Sequence, residues 1–377
     1  MDFSYSDEQR MLADTLERLI ADQPAPERRA SQLDPAPGER SALWQTFAEL
    51  GLLHMPFAET VGGLGGNGTD LMIIMQALGR GLMPEPYLAG LLLPGELLAR
   101  LADPDQRARW LTPLLEGEHQ LALAWQERDS RYDPYAIATT ALPQGTGWRL
   151  EGGKQLVMGA GSAAAILVTA RISGERLDGN RLGVFLVPAA SSGLIRRDYH
   201  TIDGQPASDL ILSDVTLDEH ACLSEDAAHA LDATLALGIA SLCAQAVGAM
   251  ESSCDQTLAY IKERRQFGMP LSSFQVLQHR MVDMHLHLEQ ARSMAILATT
   301  SLDLPAAERD YRIAAAKAYC GEAARFVAEQ AIQLHGAMGM TEECLVSHYA
   351  KHLVMFDHYL GDSDYHLEYI SEQLSAV

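Results

Sequence analysis

The pattern of residues along the chain predicts an α+β protein, with a β segment set between two helical ones. Two observations carry this. Helical apolar periodicity fills the first third of the chain and everything after about Ser224, while short apolar runs punctuated by Gly, Pro, Asp and Asn fill the region between. A third observation is size: 377 residues exceed one ordinary core and imply two or three domains. The divisions fall at residues 1–120 (helical), 121–223 (β) and 224–377 (a four-helix-type bundle).

The first helix starts at Ser6, which has Gln9 three residues on, the spacing of a capping box. Met11, Leu12, Thr15, Leu16, Leu19 and Ile20 then share one stripe. A second helix carries Trp44, Phe47 and Leu50 and stops at Gly51. Others are expected near Asp70 to Leu78, Pro94 to Leu101 and Gln106 to Leu115. The runs LALAW, WRLEG, AAILVTAR, GVFLVP and LILSDVTL read as strands. Long helices are expected near 226–264, 273–301 and 305–335, and shorter ones near 342–357 and 363–374.

Composition limits the function. Lys+Arg is 28 against Asp+Glu 50, a net charge of −22, which repels phosphate backbones and anionic lipid. Neither nucleic acid nor a membrane is expected as partner. The five cysteines are scattered without a C-x-x-C pair, so neither a disulfide framework nor a zinc site is expected, and a cytoplasmic location fits. The acidic N-terminus is unlike a signal peptide. Residues 233–250 are uncharged and long enough to span a bilayer, but their Ala, Gly, Ser and Gln content points to a buried interface helix.

Four motifs could carry chemistry. Gly63 to Gly68 fits G-x-G-x-x-G literally, but no strand precedes it and no βαβ unit surrounds it, so a flexible loop is the better reading. His348 and His352 lie at i, i+4 without a third ligand, so no metal is assigned. Arg264 and Arg265 end a helix beside a Gly268-Met-Pro270 turn, with a new helix opening near Ser272. Two guanidiniums and a helix N-terminus could hold a pyrophosphate. They could equally compensate the helix dipole, and the residues alone leave both readings open. Gln333 to Gly339 closes the third long helix with small residues, which suits either close approach to a ligand or a plain glycine cap.

Together these last two motifs resemble the acyl-CoA dehydrogenase family of flavoproteins. RRQFGMPLSSFQ resembles its R-x-x-F-G-x-x-x-x-x-x-Q element, QLHGAMGMTEE its Q-x-x-G-G-x-G element, and PFAETVGGLGG its early glycine loop. The resemblance implies that family's fold and a tetramer binding FAD across subunit boundaries. It implies that Arg264, Gln266, Phe267 and Gln275 contact the pyrophosphate or adenosine side of a neighbour's FAD. Gln333, His335, Gly336 and Ala337 would line the same part, Ala337 standing for a glycine. It also implies α,β-dehydrogenation of an acyl-CoA, a carboxylate taking the α-proton and flavin the β-hydride, with electrons leaving to an electron-transfer flavoprotein.

The chain departs from that pattern at the chemistry. Counting from Gln333 places the family's base at Leu360, and leucine cannot accept a proton. The alternative position, on the helix before the arginine motif, is Gly238, followed by Ile239. The T-E-P-x-x-G-S-D strand end reads Gln126 to Asp133, with Glu127 and Asp133 kept and Tyr132 in place of serine. The W-I-T segment reads Leu156-Val157-Met158, without the ring or the hydroxyl. The simplest expectation is a base-deficient subunit sharing FAD with a paralogous chain. SRYD, LQHRMVDM and YLGDSDYHL resemble the small-subunit branch of two-subunit, pimeloyl-CoA-type dehydrogenases. The alternatives are a homomer using Asp362 as relocated base, a desulfinase-like flavoenzyme, and a catalytically silent scaffold.

Overall fold

The computed structural model describes residues 4–23, 41–177 and 181–375. These form two compact units, one from 41–66 with 85–238 and one from 4–23, 67–84 and 239–375.

The first unit is built around a sheet. Its strands are β1 Leu121–Ala124, β2 Thr140–Gln144, β3 Gly147–Met158, β4 Ala165–Arg171, β5 Leu182–Pro188, β6 Leu194–His200, β7 Pro206–Leu217 and β8 Cys222–Ser224. The order is β6-β7-β3-β2-β4-β5-β8, with β1 parallel to β4 in the register Leu121↔Ala165. β1 and β4 are buried along their whole length, which explains their unbroken apolar runs. β2, β6 and β8 are not announced by the sequence. β6 (LIRRDYH) is a mostly exposed edge whose charges discourage further pairing, β2 buries one residue, and β8 spans three.

Ahead of the sheet, a helix Ala42–Glu49 is capped by Ser41 Oγ, which accepts from Trp44 N at 3.0 Å. Its Trp44 and Phe47 are fully buried, and Phe47 meets Tyr87 edge to face. The glycine loop is packed rather than flexible. Gly65 N and Gly66 N donate to Phe57 O and Met55 O at 2.8 Å, and a Cβ on Gly63 would lie 1.9 Å from Phe57 O. Two π-helical turns, Tyr87–Leu92 and Arg107–Leu111, each run up to a helix whose second residue is proline (Pro94, Pro113). A proline ring collides with the carbonyl four residues back and supplies no N–H, and the wider turn accommodates both effects.

The second unit is helical. Helix α1 (Asp7–Ala21) has the expected Ser6/Gln9 capping box, and Gln9 Nε2 also donates to Asp70 Oδ1 at 3.0 Å. Helix α2 (Gly68–Arg80) is capped by Asn67 and Asp70. Helix α3 (Ala228–Glu263), which belongs to this unit from residue 239 on, contains the long uncharged stretch; it is long and apolar enough to cross a membrane, and 83% of its most apolar window is buried within the protein. Helices α4 (Gln275–Thr300), α5 (Ala306–His335), α6 (Leu345–His358) and α7 (Ser363–Ser375) complete the bundle, with α5 packed against α4, α6 and α7. Helix α4 starts at Gln275, after a 3₁₀ turn at Leu271–Ser273, and so three residues after the opening expected near Ser272.

Two glycines set how closely α2 and α3 approach. A Cβ on Gly79 would lie 1.9 Å from Gln245 O, and one on Gly248 would lie 1.9 Å from Gln76 O. Main chain meets main chain at both points, so neither neighbour can rotate away. Gly248→Ala is expected to cost about 2–3 kcal/mol, seen as a lower denaturant midpoint at unchanged slope.

Candidate functional site

The helical unit brings the two glycine-bearing motifs together. Helix α3 ends at Glu263, and Arg264 N still donates to Tyr260 O at 2.8 Å. The chain then makes a short hairpin, β9 (Arg265–Gln266) against β10 (Met269–Pro270), with Gln266 opposite Met269. That register leaves a two-residue loop, Phe267-Gly268, and both residues have positive φ (+53° and +81°). This is the geometry of a tight β-hairpin turn, with glycine where it belongs and a bulky ring where it is costly. Phe267 is 89% exposed. Among the described residues its one ring contact is an edge-to-face one with Phe274 at 6.2 Å.

Tyr260, one turn before the hairpin, stacks on His335 with ring centroids 4.3 Å apart and 22° between planes. His335 Nδ1 donates to Ala331 O at 2.9 Å, since a carbonyl can only accept. Burial pushes the His335 pKa below its ordinary value, which keeps the ring neutral and well suited to stacking. Gly336, at φ +65°, ends α5 and starts the turn Gly336–Met340. A Cβ on Gly339 would lie 2.9 Å from His335 Cβ, so the turn folds back tightly on the helix end.

The Tyr260–His335 stack therefore ties the helix that leads into Arg264, Gln266 and Phe267 to the helix end that carries Gln333, Gly336 and Ala337, and Gln275 opens α4 beyond the hairpin. All of these are exposed except the stacked pair. Among the described residues the Arg264 guanidinium takes no partner. Exposed amides, two guanidiniums and a freely accessible turn suit an anionic ligand that also accepts hydrogen bonds, as the diphosphate of FAD does. Sequence reasoning missed Tyr260, because an aromatic on a long helix reads as core.

The position counted as the family's base lies in the turn between α6 and α7. Leu360 is 9% exposed and left-handed (φ +55°), and Gly361 follows at +105°. Asp362 caps α7, its Oδ1 accepting from Tyr365 N at 2.8 Å. Gly238, the other position, is buried within α3.

Beneath this turn is a group that the sequence reading passed over. Lys317, on α5, is fully buried. Its Nζ donates to Asp357 O at 3.0 Å and Gly361 O at 2.7 Å and lies 4.4 Å from the Phe356 ring centre. Burial pulls its pKa down, opposed by Cys243, Asp357, Cys320 and Asp362. The Asp357 carboxylate is occupied otherwise, accepting from Ser363 Oγ at 2.7 Å and Ser363 N at 3.2 Å. His366 Nε2 donates to Leu360 O at 3.1 Å, and burial, with the Lys317 charge, lowers its pKa to about 4. The available signal was the lysine itself, a single charge within Ala-Ala-Ala-Lys-Ala.

In the β unit Glu127 is a structural centre. Its carboxylate accepts from Lys154 Nζ (2.8 Å), Ala138 N (2.7 Å) and Thr139 N (3.0 Å). Burial would raise the Glu127 pKa, but Lys154 and these hydrogen bonds prevail and hold it low, while burial brings Lys154 down to about 8. Ser130, not the residue at 132, closes the turn, its Oγ accepting from Glu127 N at 3.0 Å. Leu156-Val157-Met158 sits where the β3–β7 register shifts; Leu156 is left-handed (φ +50°) and its N–H donates to Asp209 Oδ1 at 3.2 Å. None of the three side chains offers a hydrogen-bond donor.

Comparison with known proteins identifies the class. The chain matches the acyl-CoA dehydrogenase N-terminal domain over residues 6–118, the middle domain over 122–215 and the C-terminal domain over 228–375. It is 30% identical over 353 residues to a probable acyl-CoA dehydrogenase of Bacillus subtilis (strain 168), covering 91% of each chain. It is 29% identical over 345 residues to the human mitochondrial short-chain specific acyl-CoA dehydrogenase, covering 89% of this chain and 82% of that one. Among solved structures it superposes on the Tcur3481-Tcur3483 steroid ACAD with a TM-score of 0.86 and 27% identity, covering 98% of both. The chain belongs to the acyl-CoA dehydrogenase family, oxidoreductases of CH–CH bonds that bind FAD.

The buried histidine makes a pH prediction. The folded-state pKa of His366 lies near 4, below its unfolded value of 6.5, so the unfolded chain binds more protons between these values. Stability is therefore retained above about pH 6.5 and lost as pH falls toward 4, by roughly 3 kcal/mol from this residue. His366→Gln should flatten that part of the curve in denaturation series run from pH 7 to 4.

Proposed function

We propose that this chain is a base-deficient subunit of an acyl-CoA dehydrogenase, working in the cytoplasm beside a paralogous chain that carries the catalytic glutamate. The observation that carries the proposal is Leu360: the turn expected to present a carboxylate presents a hydrocarbon, and Gly238 offers no substitute. Asp362 is a weak alternative, since its carboxylate already caps α7.

In this reading the chain contributes the half of an FAD site that binds the adenosine diphosphate. Arg264 pairs with the pyrophosphate, with Arg265 nearby as a second charge. Gln266, Gln275 and Gln333 hydrogen-bond, Phe267 packs against the cofactor, and His335, Gly336 and Ala337 form the floor. Bound FAD would supply the hydride acceptor for α,β-dehydrogenation of an acyl-CoA thioester. The residues that would meet its ring in this chain, Leu156 to Met158, supply no side-chain donor, which fits a ring held elsewhere. The assembly is a tetramer of two kinds of chain that passes its electrons to an electron-transfer flavoprotein. The likeness to a steroid ACAD named for two components supports both the pairing and a bulky acyl group. The short segments resembling the pimeloyl-CoA-type small-subunit branch point the same way.

Purified alone, the chain should carry little FAD and show no dehydrogenation. Co-expressed with a paralogue keeping glutamate in a Y-E-G-T segment, it should yield a yellow, active complex. Full flavin occupancy with turnover from the lone chain would refute the proposal. In the complex, Arg264→Ala should weaken FAD binding at least tenfold, in line with about 1.5–3 kcal/mol for a hydrogen bond to a charged group, as read by flavin retention on dilution.

A further inference from the structure

The main chain around Leu360 is gripped from two sides. Lys317 Nζ reaches Asp357 O and Gly361 O, and His366 Nε2 reaches Leu360 O. Both donors are buried, and the hydrogen bonds of both go to carbonyl oxygens rather than to carboxylates. Three of the five carbonyls from Asp357 to Gly361 are thereby occupied. A leucine in the left-handed region persists only where its surroundings over-determine the backbone, and here they do. The contacts pass entirely through the main chain, and the Leu360 side chain makes none of them.

We infer that Lys317 and His366 are positioning residues, which preset the backbone at position 360 independently of the side chain that stands there. The turn is thus a prepared seat. A leucine occupies it, and a carboxylate placed there would be held in the same backbone geometry. The inference concerns this chain's own turn and holds whether the catalytic base comes from a partner or from this chain.

Hydrogen exchange on the full-length chain tests it. Two amides report on the turn: Tyr359 N, bonded to Phe356 O at 3.2 Å, and Ser363 N, bonded to Asp357 Oδ1 at 3.2 Å. Lys317→Met should speed exchange at both by about tenfold or more while the core amides of α3 stay unchanged, a local opening rather than a global one. His366→Phe should have the same effect, and His366→Gln, which keeps a donor, should restore slow exchange. Leu360→Glu and Leu360→Ala should leave both rates within about twofold of the parent. Unchanged exchange in Lys317→Met would overturn the inference. So would a tenfold acceleration in Leu360→Glu, or an equal rise across α3 and α5, which marks a merely structural lysine. If Lys317→Met does not fold, the His366 pair and the Leu360 variants decide the matter.

Discussion

Among the described residues the fully buried Lys317 amine has no ion-pair partner, and its hydrogen bonds constrain where the α6–α7 turn lies. Taking a charge out of water costs several kcal/mol even after relaxation. Lys317 recovers part of this from two carbonyl oxygens and the face of Phe356, each a site of negative potential. That solution works only if the α6–α7 turn lies directly on α5. Gly321, one helical turn on from the lysine, makes the approach possible, because a Cβ there would lie 2.2 Å from Asp357 Oδ1 and 2.3 Å from Ser363 Oγ. Lysine and glycine on one face of α5 thus fix where the turn sits. The Asp357–Ser363 bond and the Asp362 cap then fix how α7 leaves it.

The fold was largely legible because its elements follow local rules. The capping box at Ser6, helical stripes and punctuated apolar runs all point to what the structure contains. What escaped reading was tertiary in origin. The edge strand β6 is held by pairing with β7, not by its own charged sequence. The π-helical turns exist because proline must be accommodated inside a helix. A loop of five glycines looks mobile in sequence yet is bonded residue by residue, since glycine serves close packing as readily as freedom.

Legibility of the site was uneven in a similar way. Arg264 to Gln275 and Gln333 to Ala337 stand out as motifs, and the Tyr260–His335 stack links the helix that leads into the first to the second. Lys317, His366 and Tyr260 do not stand out, because their roles depend on carbonyls and rings distant in sequence. A lysine among alanines is a weak sign on a single chain: it reads equally as a solvated residue on a helix face until burial is known. The absent base at 360, by contrast, is a negative sign that only a family frame makes visible.

Phe267 bears on the proposal of a site shared between subunits. A phenylalanine in the left-handed region is strained by about 1 kcal/mol or more, and a ring 89% exposed to water regains little of it through burial. Glycine at 267 would remove the strain and complete the same two-residue turn. Within the lone chain, then, the edge-to-face contact with Phe274 is what the described residues set against that strain. A residue that is locally unfavourable, accessible, and three positions from a guanidinium without a partner among the described residues makes sense if its contacts are completed by something outside the chain. A cofactor bridging two subunits meets that condition, and it would join the exposed half-site described here to whatever protein supplies the other half.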